Sequence, residues 1–408
     1  MQSNLKITET IMQNKFDDLR PYYPSEIPPA MQRIAASEHF EALSQYIFPD
    51  RDVEDVREMI RNIRTTDEFQ LKVMYYVNRQ IIRRSMTDLT FDGLDQLNPQ
   101  TNYLFVSNHR DIMLDSSLLQ YLLHHNGFRT TEITFGSNLM ISQLVVDIGK
   151  ANKMFKVIRS SNIREFLKNS MQLSEYIRYT ITDKGESIWI AQRNGRTKNG
   201  YDATDQGIIK MFCMSKSSDL LRAIDELHIA PLAISYQIES CDILKTRELY
   251  LSQNGEKYVK HPFEDLNSIL TGIRQPKGHV HIGFCKPVTS EEFTFDHKIP
   301  NEFYKNIAAL IDERIYRSYK LFNNNYIAHD LRSGEDAFSA YYTREEKEAF
   351  VARCRYMLEQ IEGDKDTLMS IFLGIYANPV DNQKSEKGCK GEGAKGRRDE
   401  GANGLKEL

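Results

Sequence analysis

Residues 102–125 read NYLFVSNHRDIMLDSSLLQYLLHH. The short apolar run over 102–108 predicts a buried strand, and "DSSLLQYLLHH" (115–125) predicts a helix. Between them stand His109, Arg110, Asp111 and Asp115. A histidine delivered to the carboxyl end of a strand lies where open α/β sheets place their ligands. This strand-turn-helix unit therefore sets the expectation for the whole fold.

Similar runs recur downstream: "TEITFG" (131–136), "FKVIR" (155–159), "SIWIA" (187–191), "IAPLAISY" (229–236) and "HVHIGF" (279–284). Helical stretches separate most of them, so residues 96–290 are expected to form an α/β domain. Upstream, residues 1–30 are a polar leader with the proline-broken linker "RPYYPSEIPPA", and 31–95 read as a helical N-terminal region. Downstream, 291–380 are expected to be a helical C-terminal region. Residues 381–408, rich in glycine and charge, are expected to be a disordered tail.

The 408 residues balance 53 basic against 57 acidic side chains, a net charge of −4. That excludes a global pull toward nucleic acid, so any anion site must be local. Five cysteines without a Cys-x-x-Cys pair give no zinc spacing and no disulfide framework. The N-terminus lacks the features of a signal peptide, and no apolar run approaches the ~18–20 residues of a bilayer span. A soluble or peripheral protein, with no bound metal, is expected.

His109-Arg110-Asp111 is also the tripeptide of a protein-kinase catalytic loop. That reading fails: the position of the metal-binding asparagine holds Ser116, and no glycine-rich loop, strand lysine or Asp-Phe-Gly accompanies it. The alternative is acyl transfer. A histidine takes the proton of an attacking hydroxyl, and a carboxylate holds the imidazole in its tautomer and stabilises the imidazolium. Asp111 is placed to cap the helix, and Asp115 lies about one turn further on. No Ser or Cys stands in a nucleophile elbow, so direct attack is the simpler scheme. In "AQRNGRTKNG" (191–200), Gly195 and Gly200 open a loop that carries Arg193, Arg196 and Lys198, residues suited to phosphate oxygens.

These blocks resemble the glycerolipid acyltransferase family, which includes glycerol-3-phosphate and 1-acylglycerol-3-phosphate O-acyltransferases. That family carries Asn-His-x4-Asp after a strand, a block with a late arginine, a glycine-arginine loop and a proline-bearing strand. Here the candidates are Asn108-His109 with Asp115, "FKVIRS" ending near Arg159, Gly195-Arg196-Thr197-Lys198, and "IAPLAISYQ" with Pro231. Two departures stand out. Five residues, not four, separate His109 from Asp115, and Gln192-Arg193 replaces the usual glutamate.

The resemblance implies an α/β fold with a mixed central sheet flanked by helices, with helical N- and C-terminal additions. It implies His109 and Asp115 as catalytic residues, and Arg193, Gly195, Arg196, Lys198, Arg110 and Arg159 around the substrate. No bound cofactor is implied. The acyl donor would be a thioester on acyl carrier protein (acyl-ACP) or coenzyme A (acyl-CoA). The acceptor would be a phosphorylated glycerol, glycerol-3-phosphate or its 1-acyl derivative, reached at the inner face of the membrane by a cytoplasmic, peripheral enzyme of phospholipid biosynthesis. Two alternatives stay open: another lipid acceptor such as an amino-acid lipid, suggested by Gln192, and an inactive lipid-binding homologue, suggested by the longer His109–Asp115 spacing.

Overall fold

A computed structural model describes residues 15–158, 162–253, 258–261, 263–296, 298–388 and 403–404. Helices α1 (Ile27–Ala35), α2 (Phe40–Ile47), α3 (Val53–Arg61) and α4 (Thr66–Phe69) lead through a π-helical turn, Gln70–Met74, into α5 (Tyr75–Ser85). Their apolar faces close a core of their own around Met31, Ile34, Val56, Ile60 and Phe69. A buried carboxylate fastens this layer to the rest of the chain: Asp147 accepts from Arg33 at 2.7 and 2.8 Å and from the Tyr22 hydroxyl at 2.7 Å.

The α/β unit runs β1 (Met86–Asp92), β2 (Leu104–Ser107), α6 (Leu114–His125), β3 (Glu132–Gly136), α7 (Gln143–Ala151), β4 (Met154–Val157), α8 (Ile163–Thr182) and β5 (Ile188–Ala191). It continues through α9 (Gln206–Met214), α10 (Leu220–Asp225), β6 (Ile229–Tyr236), α11 (Asp242–Leu251), α12 (Glu264–Arg274) and β7 (Gly278–Phe284). Helices α13 (Pro300–Ser318), α14 (Asn323–Ser333), α15 (Arg344–Glu359) and α16 (Lys365–Gly388) follow, with a two-residue strand β8 (Asn403–Gly404) against β1.

The strand order is β4-β3-β5-β2-β6-β7-β1-β8. The pairs from β4 across to β6 are parallel, as is β7 with β1, while β6 and β7 are antiparallel. The sheet is therefore mixed, as expected. Both faces are covered, which is why β2 and β6 read as unbroken apolar runs. Leu104, Val106, Ile188 and Ile190 face a core with Phe212, Ile224, Phe303 and Ile307. Phe105 and Trp189 face the other way, onto Leu118, Leu119 and Leu122 of α6. Those three leucines are fully buried. Truncating one to alanine costs about 2–5 kcal/mol, so α6 is firmly seated on the sheet.

Two expectations are corrected. Strand β1 lies outside the span read as α/β, because Met86 follows the last residue of α5 with no Gly or Pro to mark the change. Helix α16 runs through residues 381–388, which were assigned to the tail; residues 389–402 lie outside the described part. Within the sheet, His281 is buried, and both His279 and His281 hydrogen-bond to the Thr90 hydroxyl across β1 and β7.

Candidate active site

Strand β2 ends at Ser107, and the next side chain ties the strand end to its neighbour. Asn108 accepts from the Ile234 amide at 2.7 Å and donates to the Ile234 carbonyl at 3.0 Å, spanning β2 to β6. His109 is thereby placed over the carboxyl ends of the central strands. Its ring meets Trp189 of β5 edge-on, with centroids 5.6 Å apart.

His109 Nδ1 lies 2.8 Å from Asp115 Oδ2. The imidazole is 13% exposed and the carboxylate fully buried. The longer spacing does not separate them, because the extra residue is taken up in a turn that wraps around the carboxylate. The amides of Arg110 and Asp111 donate to the same Oδ2 at 2.6 and 3.0 Å, and the Tyr236 hydroxyl donates to Oδ1 at 2.8 Å. Four donors thus make a buried anion tolerable. Burial and the neighbouring Asp115 carboxylate push the Tyr236 phenol well above its ordinary value, so it stays a neutral donor. With Nδ1–H turned to a carboxylate, Nε2 is the basic nitrogen of the ring.

Asp111 does different work. Its Oδ1 accepts from the amides of Met113 and Leu114 at 2.9 and 2.8 Å, covering the start of α6, and its Oδ2 accepts from the Ser240 hydroxyl.

The basic loop follows β5. Gly195 and Gly200 take left-handed backbone conformations, with φ of 78° and 80°. Thr197 donates its amide to the His109 carbonyl at 2.8 Å and its hydroxyl to Asp202 at 2.8 Å, which brings the loop against the histidine turn. Next to it, Arg196 holds Nη1 buried without a hydrogen-bond partner. Arg193 is partly buried in the same loop. Lys198 is already engaged in an ion pair with Glu248 of α11.

Arg110 is not at a substrate surface. It is fully buried and donates to Asp202 at 2.6 Å, to Glu239 at 3.3 Å and to the Gly200 carbonyl at 3.3 Å, beneath the loop. Its expected phosphate contact is therefore replaced by an internal ion-pair cluster. Gln192 is also buried, with its side-chain oxygen accepting from the Thr204 hydroxyl and its amide nitrogen buried without a hydrogen-bond partner. Arg159 lies outside the described residues.

Residues 88–235, which contain the histidine turn and the basic loop, match the acyltransferase family model. The chain carries an acyltransferase domain. The structure of the 1-acyl-sn-glycerophosphate (LPA) acyltransferase PlsC from Thermotoga maritima is a similar chain, at 14% identity and a TM-score of 0.33, over 70% of this chain and 94% of that one. No curated protein matches the chain. That match supports acyl transfer as the chemistry of this domain, in which His109 and Asp115 pair and Thr197, the residue after Arg196, binds the His109 carbonyl.

Two contributors to that site were missed from sequence. Tyr236 ends an otherwise apolar strand with a hydroxyl at the sheet's carboxyl end, and that change of character is the signal it offers. Trp189 is buried in β5 and walls the histidine, donating to the Ser107 hydroxyl at 3.0 Å.

Proposed function

We propose that this enzyme transfers a fatty acyl group from a thioester, on acyl carrier protein or coenzyme A, to a hydroxyl of glycerol-3-phosphate or 1-acylglycerol-3-phosphate. The observation that carries the reading is the His109–Asp115 pair, closed at 2.8 Å and joined through Thr197 to a loop in which Arg196 holds a buried nitrogen without a hydrogen-bond partner.

In this scheme His109 Nε2 takes the proton of the acceptor hydroxyl as its oxygen attacks the thioester carbonyl. Asp115 stabilises the imidazolium so formed. Backbone amides steady the tetrahedral oxyanion. Its collapse breaks the carbon–sulfur bond, and the departing thiolate recovers the proton from His109. The acceptor phosphate meets Arg196 and Arg193, which form charge-assisted hydrogen bonds of the stronger kind. Lys198 joins them only if it leaves Glu248.

We assign the enzyme to the inner face of the membrane as a peripheral protein. Among the described residues no helix is long and apolar enough to cross a bilayer. At the start of α8, Ile163, Phe166 and Leu167 are exposed beside Arg164 and Lys168, a combination suited to an anionic lipid surface.

Steady-state kinetics with both substrates varied test the acceptor class. Arg196→Ala should raise the acceptor KM about ten- to a hundred-fold and leave the donor KM in place. An unchanged acceptor KM, or equal use of unphosphorylated acceptors by the wild type, would overturn the phosphate-binding role.

A further inference from the structure

Helix α16 lies outside the matched domain, yet it touches the basic loop at its tip. Pro379 falls inside α16. It has no N–H to give to the carbonyl of Ile375, four residues earlier. That carbonyl oxygen faces Gly200: a Cβ built there would lie 2.1 Å from it, and Gly200 also has φ +80°. Only glycine allows the loop and the helix to approach so closely. One residue before the proline, Asn378 donates to the Asn199 carbonyl at 2.7 Å, while its own oxygen accepts from Arg332 of α14 at 2.7 Å.

The same helix is anchored underneath. The Tyr376 hydroxyl donates to Asp242 at 2.6 Å and accepts from the Glu239 amide at 3.1 Å. Arg353 of α15 closes the pair with Asp242 at 2.7 Å. Glu239 in turn pairs with Arg110, whose guanidinium supports Gly200 and Asp202 from below. The loop tip is therefore held on two sides, by Arg110 inside and by α16 outside. Arg196 directly precedes Thr197, whose amide binds the His109 carbonyl and which the loop joins to this clamped tip.

We propose that α16, through the Ile375 carbonyl released by Pro379 and through the Asn378 amide, is a positioning element that sets Arg196 for the acceptor phosphate. Affinity for the acceptor is then partly determined by a helix that the acyltransferase domain does not contain. This rests on the reading of the loop as the acceptor-phosphate site. The positioning itself needs no assumption about which hydroxyl is acylated.

The test compares Asn378→Ala with wild-type full-length enzyme in two measurements. Hydrogen exchange at the Thr197 amide reports whether the loop is held. Steady-state kinetics, with sn-glycerol 3-phosphate and its 1-acyl derivative as acceptors, report whether holding it matters. The expected result is faster exchange at Thr197 and an acceptor KM raised about three- to ten-fold, the loss of one hydrogen bond. The donor KM and kcat should stay within about two-fold, since His109 and Asp115 keep their own contacts. Pro379→Ala, which restores the missing N–H, should shift the acceptor KM in the same selective way. Unchanged exchange would overturn the clamp. Faster exchange with an unchanged acceptor KM, or with both KM values rising together, would overturn the positioning role. If the wild type used only unphosphorylated acceptors, the functional reading and the acceptor-affinity role would both fall, while the exchange data would still show whether α16 holds the loop.

Discussion

The Tyr236 hydroxyl donates to Asp115 Oδ1 at 2.8 Å, on the oxygen that His109 does not use. The carboxylate that orients the His109 imidazole is thus itself oriented from the neighbouring strand. Replacing Tyr236 with Phe removes a donor from a buried anion and leaves Asp115 Oδ1 free to turn. The imidazole is then held less firmly, so kcat should fall about ten-fold while both KM values stay in place. Steady-state kinetics of Tyr236→Phe beside wild type check this; an unchanged kcat would mean that Tyr236 is only packing.

Arg110 makes the opposite kind of prediction. Its charge is fully buried and is divided among Asp202, Glu239 and the Gly200 carbonyl. Arg110→Ala leaves two buried carboxylates without this partner, which should cost about 3–5 kcal/mol of stability. Chemical denaturation should show that loss. A stable variant with only a raised acceptor KM would return Arg110 to the substrate surface.

Asp312 of α13 gives a pH dependence whose sign follows from burial. Desolvation raises its carboxyl from 3.8 to about 6, although the Thr204 amide and hydroxyl, at 2.8 and 2.6 Å, oppose the shift. Because the folded-state value is the higher one, the folded form favours the protonated acid. This contribution is fully present below about pH 4 and is lost as pH rises through about 6. Asp312→Asn keeps the acceptor oxygen and cannot ionise. The Tm of Asp312→Asn should therefore exceed that of wild type at pH 8, and the gap should narrow at pH 4.5. A pH-independent difference would contradict the burial argument.

The parts legible in the sequence are those written on one continuous stretch. β2, His109, Asp111, Asp115 and α6 all lie within 102–125, so strand, turn and helix could be read in order. β6 was legible because a strand covered on both faces is nearly all apolar. β1 was not, because Met86–Asp92 is polar-rich and follows a helix directly, with no turn residue between them. Arg110 was misread because a sequence shows a charge without showing its burial. Its partners Asp202 and Glu239 lie 92 and 129 residues away along the chain. Tyr236 is 121 residues from Asp115 and Asn378 is 179 from Asn199, distances that only the packed sheet and the C-terminal helices close.

The decisive measurement is acyl transfer from acyl-CoA and acyl-ACP to sn-glycerol 3-phosphate and its 1-acyl derivative, with His109→Ala set beside the wild type. Wild-type enzyme should acylate at least one of these acceptors. His109→Ala should lose about 10²–10⁴ in rate while keeping the Tm of the folded protein. A His109→Ala enzyme that turns over at close to the wild-type rate would contradict the histidine-base mechanism. A wild type that acylates neither acceptor with either donor would contradict the assignment of the substrate.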